Sequence, residues 1–304
     1  MHEHTGSRQS VALQSASGSD DADRRNQGPA ANDPGVRNVA IPGAGEVAPS
    51  SQGSVLELRG VTLTFRERGL TALRRVSLTV APGEVVSIIG PSGCGKSTIL
   101  NLAAGLLTPT RGSVLFRGSE LRGVNTDAAY VTQDANLLPW LTVSSNIGLA
   151  LKLRGMPKAE RAEKVSEWIE LVGLKGFESH FPRELSGGMQ KRCAIARALI
   201  YEPTIVLMDE PFGPLDAITR LRLQQELLNI FERARRTVVF VTHDLGEAVS
   251  LGDRVIVMSR GPGEVRGLVD VPIERPRSIS QLSGTPEFLE KYHELLEFFQ
   301  SEIG

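Results

Sequence analysis

The run Gly90-Pro91-Ser92-Gly93-Cys94-Gly95-Lys96-Ser97-Thr98 constrains this chain more than any other stretch. It follows the apolar segment Val85-Val86-Ser87-Ile88-Ile89 and opens onto Ile99-Leu100-Asn101-Leu102, the order of strand, glycine-rich turn and helix. The spacing G-x-x-x-x-G-K-S has a physical reason. Glycines let consecutive backbone N–H groups turn inward around a phosphate, and the helix they open directs the positive end of its dipole at the same anion. In such a cradle Lys96 reaches the β- and γ-phosphates, and the Ser97 hydroxyl is a ligand for Mg2+.

The totals narrow the remaining choices. A chain of 304 residues holds one large domain or two small ones. Its 34 Lys and Arg are interspersed among 35 Asp and Glu for a net charge of −1, which argues against a nucleic-acid partner. The cysteines, Cys94 and Cys193, lack metal-ligand spacing; Cys193 reads as a small buried residue and Cys94 as a tolerated position in the glycine loop, and together they suit a reducing compartment, by default the cytoplasm. No stretch approaches about eighteen consecutive apolar residues, and residues 1–40 carry no hydrophobic segment of the secretory type.

Residues 1–54, rich in Ser, Gly, Ala, Asn, Asp and Pro, read as a disordered tail in which His2 and His4 are solvated. Order begins with an alternating strand from Val55 to Val61, continued by Leu63-Thr64-Phe65. Leu73 and Val76–Val80, bounded by Pro82-Gly83, supply its antiparallel partner. Phe65 leads into Arg66-Glu67-Arg68-Gly69, where it either stacks on a purine or belongs to the core. Ser113–Gly118 and Ala128–Thr132 are further strands. Leu137-Leu138-Pro139-Trp140-Leu141-Thr142-Val143 is a Pro-interrupted surface loop whose Leu-Leu-Pro-Trp cluster needs something to cover it.

From Val143 the period becomes helical, with Ala162, Val165, Ile169 and Val172 at three- and four-residue intervals between Pro157 and Gly173. Residues 143–199 read as a helical insertion, ending in Leu185-Ser186-Gly187-Gly188-Met189-Gln190 and a helix that carries Cys193, Ala196 and Leu199 or Ile200 on one face. The last third returns to α/β order: a strand over Thr204–Met208, a helix over Ile218–Arg235 and a strand over Thr237–Thr242. A short helix over Glu247–Leu251 and a strand over Arg254–Ser259 follow. Thr285–Ile303 is an amphipathic helix whose apolar side holds Phe288, Leu289, Tyr292, Leu295, Leu296 and Phe299.

Four strand-like runs end in polar sites: Ile89 in the glycine loop, Thr132 in Gln133, Met208 in Asp209-Glu210, Thr242 in His243. In an open parallel sheet the ligand crevice lies outside the carboxyl ends of the strands, so these sites converge. Each then has a task in phosphoanhydride hydrolysis. Asp209 holds Mg2+, commonly through its water shell, and Glu210 polarises the attacking water as general base. Gln133 orients that water or touches Mg2+, and His243 hydrogen-bonds the γ-phosphate.

With these residues in place, the chain resembles the ATP-binding cassette (ABC) family of transporter ATPases from Val55 to Ile273, and Leu185–Gln190 looks like that family's signature motif. The resemblance implies an α/β fold: a phosphate-loop NTPase core of mostly parallel sheet with flanking helices, an N-terminal antiparallel β subdomain and a helical insertion carrying the signature. The corresponding divisions are a tail at 1–54, an ATPase domain at 55–275 with its helical part at about 136–199, and a C-terminal helical tail at 276–304. It also implies a head-to-tail homodimer closed by ATP, in which Ser186, Gly187, Gly188 and Gln190 of one copy face the γ-phosphate held by the other's Gly90, Pro91, Ser92, Gly93, Cys94, Gly95, Lys96, Ser97 and Thr98. A serine and two glycines at a helix start make a second anion site, which fits that arrangement.

By position, Phe65 matches the aromatic that stacks on adenine and Asp216 the residue that communicates across the dimer. The Mg2+ ligands are Ser97, Gln133 and Asp209. Two positions depart from the pattern: Pro214 stands where a small residue is usual, and Lys191 where Gln is common, a change without expected consequence. The loop wording, with Phe212-Gly213 and Arg275-Pro276-Arg277, is most similar to importers of nitrate, sulfonate and taurine. That implies a membrane permease docked on Leu137, Leu138 and Trp140, an external solute-binding protein acting indirectly, and a peripheral site at the cytoplasmic face of the inner membrane. The alternative is a soluble ABC ATPase of DNA repair or cluster assembly.

Overall fold

The computed structural model describes residues 53–213 and 215–303, without the side chains of Arg68 and of residues 301–303. Residues 1–52 of the expected tail, His2 and His4 among them, and Pro214 lie outside the described residues.

Strand β1 (Leu56–Phe65) pairs antiparallel with β2 (Leu70–Val80) through a 3-10 turn over Arg66–Arg68. Then β3 (Val85–Ile89), buried along its whole length, runs into the glycine loop and α1 (Lys96–Ala103). β4 (Arg111–Phe116) and the short β5 (Ser119–Glu120) complete an antiparallel sheet of order β2-β1-β4-β5. β6 (Ala128–Val131) leads out to the helical insertion: α2 (Val143–Ile147), α3 (Leu149–Leu153), α4 (Lys158–Leu171) and α5 (Gly187–Leu199). The chain returns through β7 (Ile205–Asp209), α6 (Ala217–Ala234), β8 (Thr237–Val241), α7 (Leu245–Leu251) and β9 (Arg254–Met258). It closes with β10 (Val265–Asp270), α8 (Ile279–Leu282) and α9 (Pro286–Ile303).

The second sheet has the order β10-β9-β3-β8-β7-β6, with β10 antiparallel to β9 and every other neighbouring pair parallel. Its strands are continuous apolar runs because both faces are covered. Val86, Ile88, Ile205, Leu207, Val239 and Val241 pack with α1 and the antiparallel sheet on one face. Ala129, Val131, Val206, Met208, Val238 and Phe240 pack on the other against Ile195 and Leu199 of α5 and Leu223, Leu227 and Leu228 of α6. Each fully buried Val, Leu or Ile contributes about 1.5–3 kcal/mol, so this double-faced burial is what holds the strand ends in place.

The helical insertion has its own core, in which Val143, Ile147, Leu151, Val165, Ile169 and Val172 surround Cys193 and Ala196 of α5. Ala162 of the expected face is exposed, whereas Trp168, on the other edge of the stripe, packs against this core. On α9, Leu289 is exposed and Phe298 is packed, lying where a Cβ on Gly267 would come within 2.5 Å of its ring. The strand β10 has no counterpart in the sequence reading, since Gly267 and its alternation of half-buried residues break the apolar run.

Two arginines fasten the segment after β10. Arg277, 4% exposed, donates through Nη1 to Gly252 O at 2.7 Å and through Nη2 to Ile273 O at 2.8 Å and Val271 O at 3.2 Å, closing the carbonyl end of α7. Arg275 donates through Nε to Asp253 Oδ1 at 2.9 Å and through Nη1 to Glu232 Oε1 at 3.1 Å. Burial pushes the Arg277 guanidinium down to about 10. An Arg277→Met variant keeps the apolar contacts but leaves several buried carbonyls without donors, so it is expected to lose about 2–3 kcal/mol of stability. Urea unfolding that shows a lower midpoint at an unchanged slope checks this.

Candidate functional site

The glycine loop is fixed by what crowds it. Gly95 caps α1 at φ 94°, and a Cβ there would come within 2.6 Å of Leu73 Cδ2 and 3.1 Å of Ala72 O, so no other residue fits. A residue that sequence reasoning missed, Gly263, lets the β9–β10 turn close on the loop: its added Cβ would stand 1.9 Å from Cys94 O, and its N–H donates to Ala72 O at 2.8 Å. Lys96 is buried and donates through Nζ to Gly90 O at 2.8 Å and Pro91 O at 3.1 Å. Both cysteines are buried and free; burial pushes the Cys94 thiol up, and that of Cys193 up to about 12.

Beside the loop runs a groove of about 590 Å³, lined by Phe65, Leu70, Ser92, Gly93, Gly95, Lys96, Ser97, Thr98, Glu210 and Gly261-Pro262. Phe65 is 37% exposed at its rim, which removes it from the core. The four strand ends meet here. Glu210 Oε1 lies 3.3 Å from His243 Nδ1, and Gln133 Nε2 donates to Glu210 Oε2 at 3.4 Å. Glu210 itself sits at φ 43°, a left-handed conformation that costs a non-glycine residue about 1–2 kcal/mol. The sheet holds it there, since its N–H donates to Val241 O at 3.0 Å.

Asp209, at the end of β7, has its carboxyl pushed up, by burial first, while its hydrogen bond with Ser97 and the nearby Lys96 and Lys191 pull the other way; Glu210 adds to the rise. Ser97 hydroxyl, Asp209 carboxylate and Gln133 amide are oxygen donors of the hard type that Mg2+ prefers. Among the described residues no group of three or more His, Cys, Asp or Glu could hold a metal, so an ion at this site would take its remaining ligands from phosphate and water.

The signature residues stand elsewhere. Ser186 caps α5, its Oγ accepting from Met189 N at 3.3 Å, and with Gly187 it is exposed and does not line the groove. Gln190 is turned back on its own motif, donating through Nε2 to Pro182 O at 3.0 Å. A Cβ on Gly188 would lie 3.2 Å from Leu215 Cδ2, so the signature packs close to the start of α6. Asp216 caps that helix through Oδ1 and Thr219 N at 3.0 Å; this hydrogen bond holds its carboxyl below the usual carboxylate range.

The loop after Gln133 is more ordered than its wording suggests. Asn146, wholly buried and unmarked in the sequence reading, donates through Nδ2 to Leu138 O, Leu141 O and Thr142 O at 3.1, 3.0 and 3.2 Å, and its Oδ1 accepts from Leu138 N at 2.9 Å. Leu137 and Leu138 are half-buried, Leu137 against the helical core, whereas Trp140 is 70% exposed. Leu153, 79% exposed, lines a small cleft with Thr132, Ala135 and Arg197. Among the described residues no helix is long and apolar enough to cross a membrane.

Comparison with known proteins agrees with this geometry. The family model for ABC transporters matches residues 73–213. An uncharacterized ABC transporter ATP-binding protein of Methanocaldococcus jannaschii is 45% identical over 250 residues, 82% of this chain and 92% of that protein. The nitrate import ATP-binding protein of Synechococcus elongatus is 44% identical over 234 residues, 76% of this chain and 36% of that longer protein. Among solved structures, the dimeric post-hydrolysis state of the ATP-binding cassette MJ0796, bound to ADP and Pi, superposes with a TM-score of 0.66 at 36% identity, covering 72% of this chain and 100% of the other. With the nucleotide groove, the clustered Gln133, Glu210 and His243 and the separate signature helix in one chain, these likenesses place it in the ABC transporter family, as an ATP-binding, ATP-hydrolysing subunit.

Proposed function

We propose that this chain powers uptake of a small anionic solute such as nitrate, a sulfonate or taurine, as the ATPase subunit of an importer docked on a separate permease at the cytoplasmic face of the inner membrane. The observation that carries the reading is the contact of Glu210 with both Gln133 and His243 beside Lys96 and Ser97. Support for an anionic solute comes from relatives named for nitrate import and, at 45% identity over 234 residues, bicarbonate transport.

In this reading adenine stacks on Phe65, and the glycine loop and Lys96 hold the phosphates. Ser97 and Gln133, with Asp209 behind, would hold Mg2+, which would supply positive charge to offset that of the phosphates. Glu210 accepts the proton of a water that adds to the γ-phosphorus as the bond to the bridging oxygen breaks, leaving ADP and phosphate. His243, whose Nδ1 lies 3.3 Å from Glu210 Oε1, keeps that carboxylate aimed and donates toward the γ-phosphate. Since Ser186 and Gly187 are exposed and outside the groove, they complete the γ-phosphate site of a second copy, with Asp216 at the same interface. ATP then closes a homodimer and hydrolysis loosens it, a two-state element that a permease can be coupled to.

Removing the base while keeping its shape separates binding from chemistry. Glu210→Gln is expected to lower ATP turnover by at least about 100-fold, to retain ATP binding and to elute from gel filtration as a dimer only with ATP. Unchanged turnover contradicts Glu210 as the base, and a monomer with ATP contradicts the composite site. At the docking surface, Trp140→Ser is expected to cut co-purification with the permease by about tenfold or more while the isolated subunit binds ATP as before. Full recovery of the complex with Trp140→Ser removes that residue from the interface.

A further inference from the structure

Lys191 is 1% exposed, which is a costly position for an ammonium group. It lies on α5, about 7.5 Å of helix beyond the Ser186 cap. Its Nζ donates to two consecutive carbonyls at the end of β6, Thr132 O at 2.7 Å and Gln133 O at 2.9 Å. Further along the same helix Arg197 donates to Ala135 O at 3.1 Å and Asn136 O at 3.0 Å. The backbone that carries Gln133 is thus gripped through four carbonyls by two cations of the signature helix. Burial pushes the Lys191 ammonium down to about 8, against the pull of Asp134 and Asp209.

The partners of Lys191 are the backbone carbonyls of the segment that carries Gln133, so the ammonium is placed where it can fix that segment. At one end of its helix is the exposed Ser186; at the ammonium is the residue whose amide touches Glu210.

We propose that Lys191 is a positioning residue for Gln133, fixing the backbone at the end of β6 so that the Gln133 amide is held against Glu210 and moves with the signature helix when Ser186 seats on a partner's nucleotide. The proposal rests on the reading of Gln133 and Glu210 as the groups that handle the attacking water. It gives a task to the position where Lys stands in place of Gln: the site needs N–H donors facing the two carbonyls, which the ammonium supplies together with a charge.

The experiment measures steady-state ATP hydrolysis and thermal unfolding of the full chain as Lys191→Met, Lys191→Gln, Gln133→Ala and Gln133→Ala/Lys191→Met. Lys191→Met is expected to lower kcat by about tenfold or more, because small displacements of a catalytic group are expensive. The KM for ATP should stay within about twofold, the sign of an interaction used after binding. Lys191→Gln should recover most of kcat, since its NH2 carries two N–H donors for the same carbonyls. The double variant should be no slower than Gln133→Ala alone, since both changes act through one group. A kcat for Lys191→Met within about twofold of the parent, multiplicative losses in the double variant, or no recovery with Lys191→Gln overturns the proposal. So does a fall in Tm of more than about 5 °C with normal turnover per folded molecule, which marks a structural role. If Gln133→Ala itself hydrolyses ATP normally, it is the reading of the site that fails.

Discussion

The parallel register of β3, β8, β7 and β6 is the constraint on which the rest depends. Ile88 stands beside Val241, Val241 beside Asp209, and Met208 beside Val131, so the chain leaves all four strands at one level. The glycine loop, Gln133, Glu210 and His243 are the residues that follow. A slip of one residue in any pair would turn a buried side chain to the wrong face, and burial on both faces forbids it. The sheet also meets the cost of Glu210's left-handed backbone: the N–H bond to Val241 O keeps the residue in the ladder while its side chain swings out toward His243 and Gln133.

What the sequence made legible was whatever physics makes local. The strand, glycine turn and helix around Lys96, the apolar runs of β3, β7 and β8, and the helical period of α4 each follow from neighbours within a few residues, and each is where it was expected. Convergence at the strand ends was legible too, because parallel topology supplies the long-range step. Hidden were residues whose partners lie far along the chain. Asn146 looks like any helix-start Asn until its bonds to the Leu138–Thr142 loop are seen. Nothing beside Arg277 in the sequence marks it as buried, yet it closes α7 from well along the chain. The Leu137-Leu138 pair read as exposed because a run of apolar residues does not say which way each side chain turns in a loop.

Helix α5 joins parts that otherwise have separate cores. Ile195 and Leu199 belong to the cluster beneath the sheet, while Cys193, Ala196 and Ile200 belong with or adjoin α5 in the cluster of the helical insertion. Its first turn, at Gly188, lies against Leu215 next to the Asp216 cap of α6. A second polar link runs on the far side of the site: buried Glu247 of α7 accepts from the Thr242 hydroxyl at 2.5 Å, just before His243, and from Gln224 of α6 at 3.0 Å. Helix α6 and the strand end before His243 are thus tied by buried hydrogen bonds, whose directionality fixes geometry in a way that apolar packing alone does not.

This arrangement explains why the groove beside Lys96 is open while the residues around it are tightly held. Phosphate contacts on one chain need only the glycine loop and α1, which rest on the most deeply buried strand of the sheet. In the proposed dimer Ser186 would enclose the γ-phosphate, and it is carried by a helix whose Lys191 is bonded to the carbonyls of Thr132 and Gln133. A nucleotide held by one copy and met by the other would then act on both subdomains through this helix, and the loss of one phosphate would alter that contact. The loop held by Asn146 leaves the same strand end, so a partner seated on Trp140 would feel that change without touching ATP.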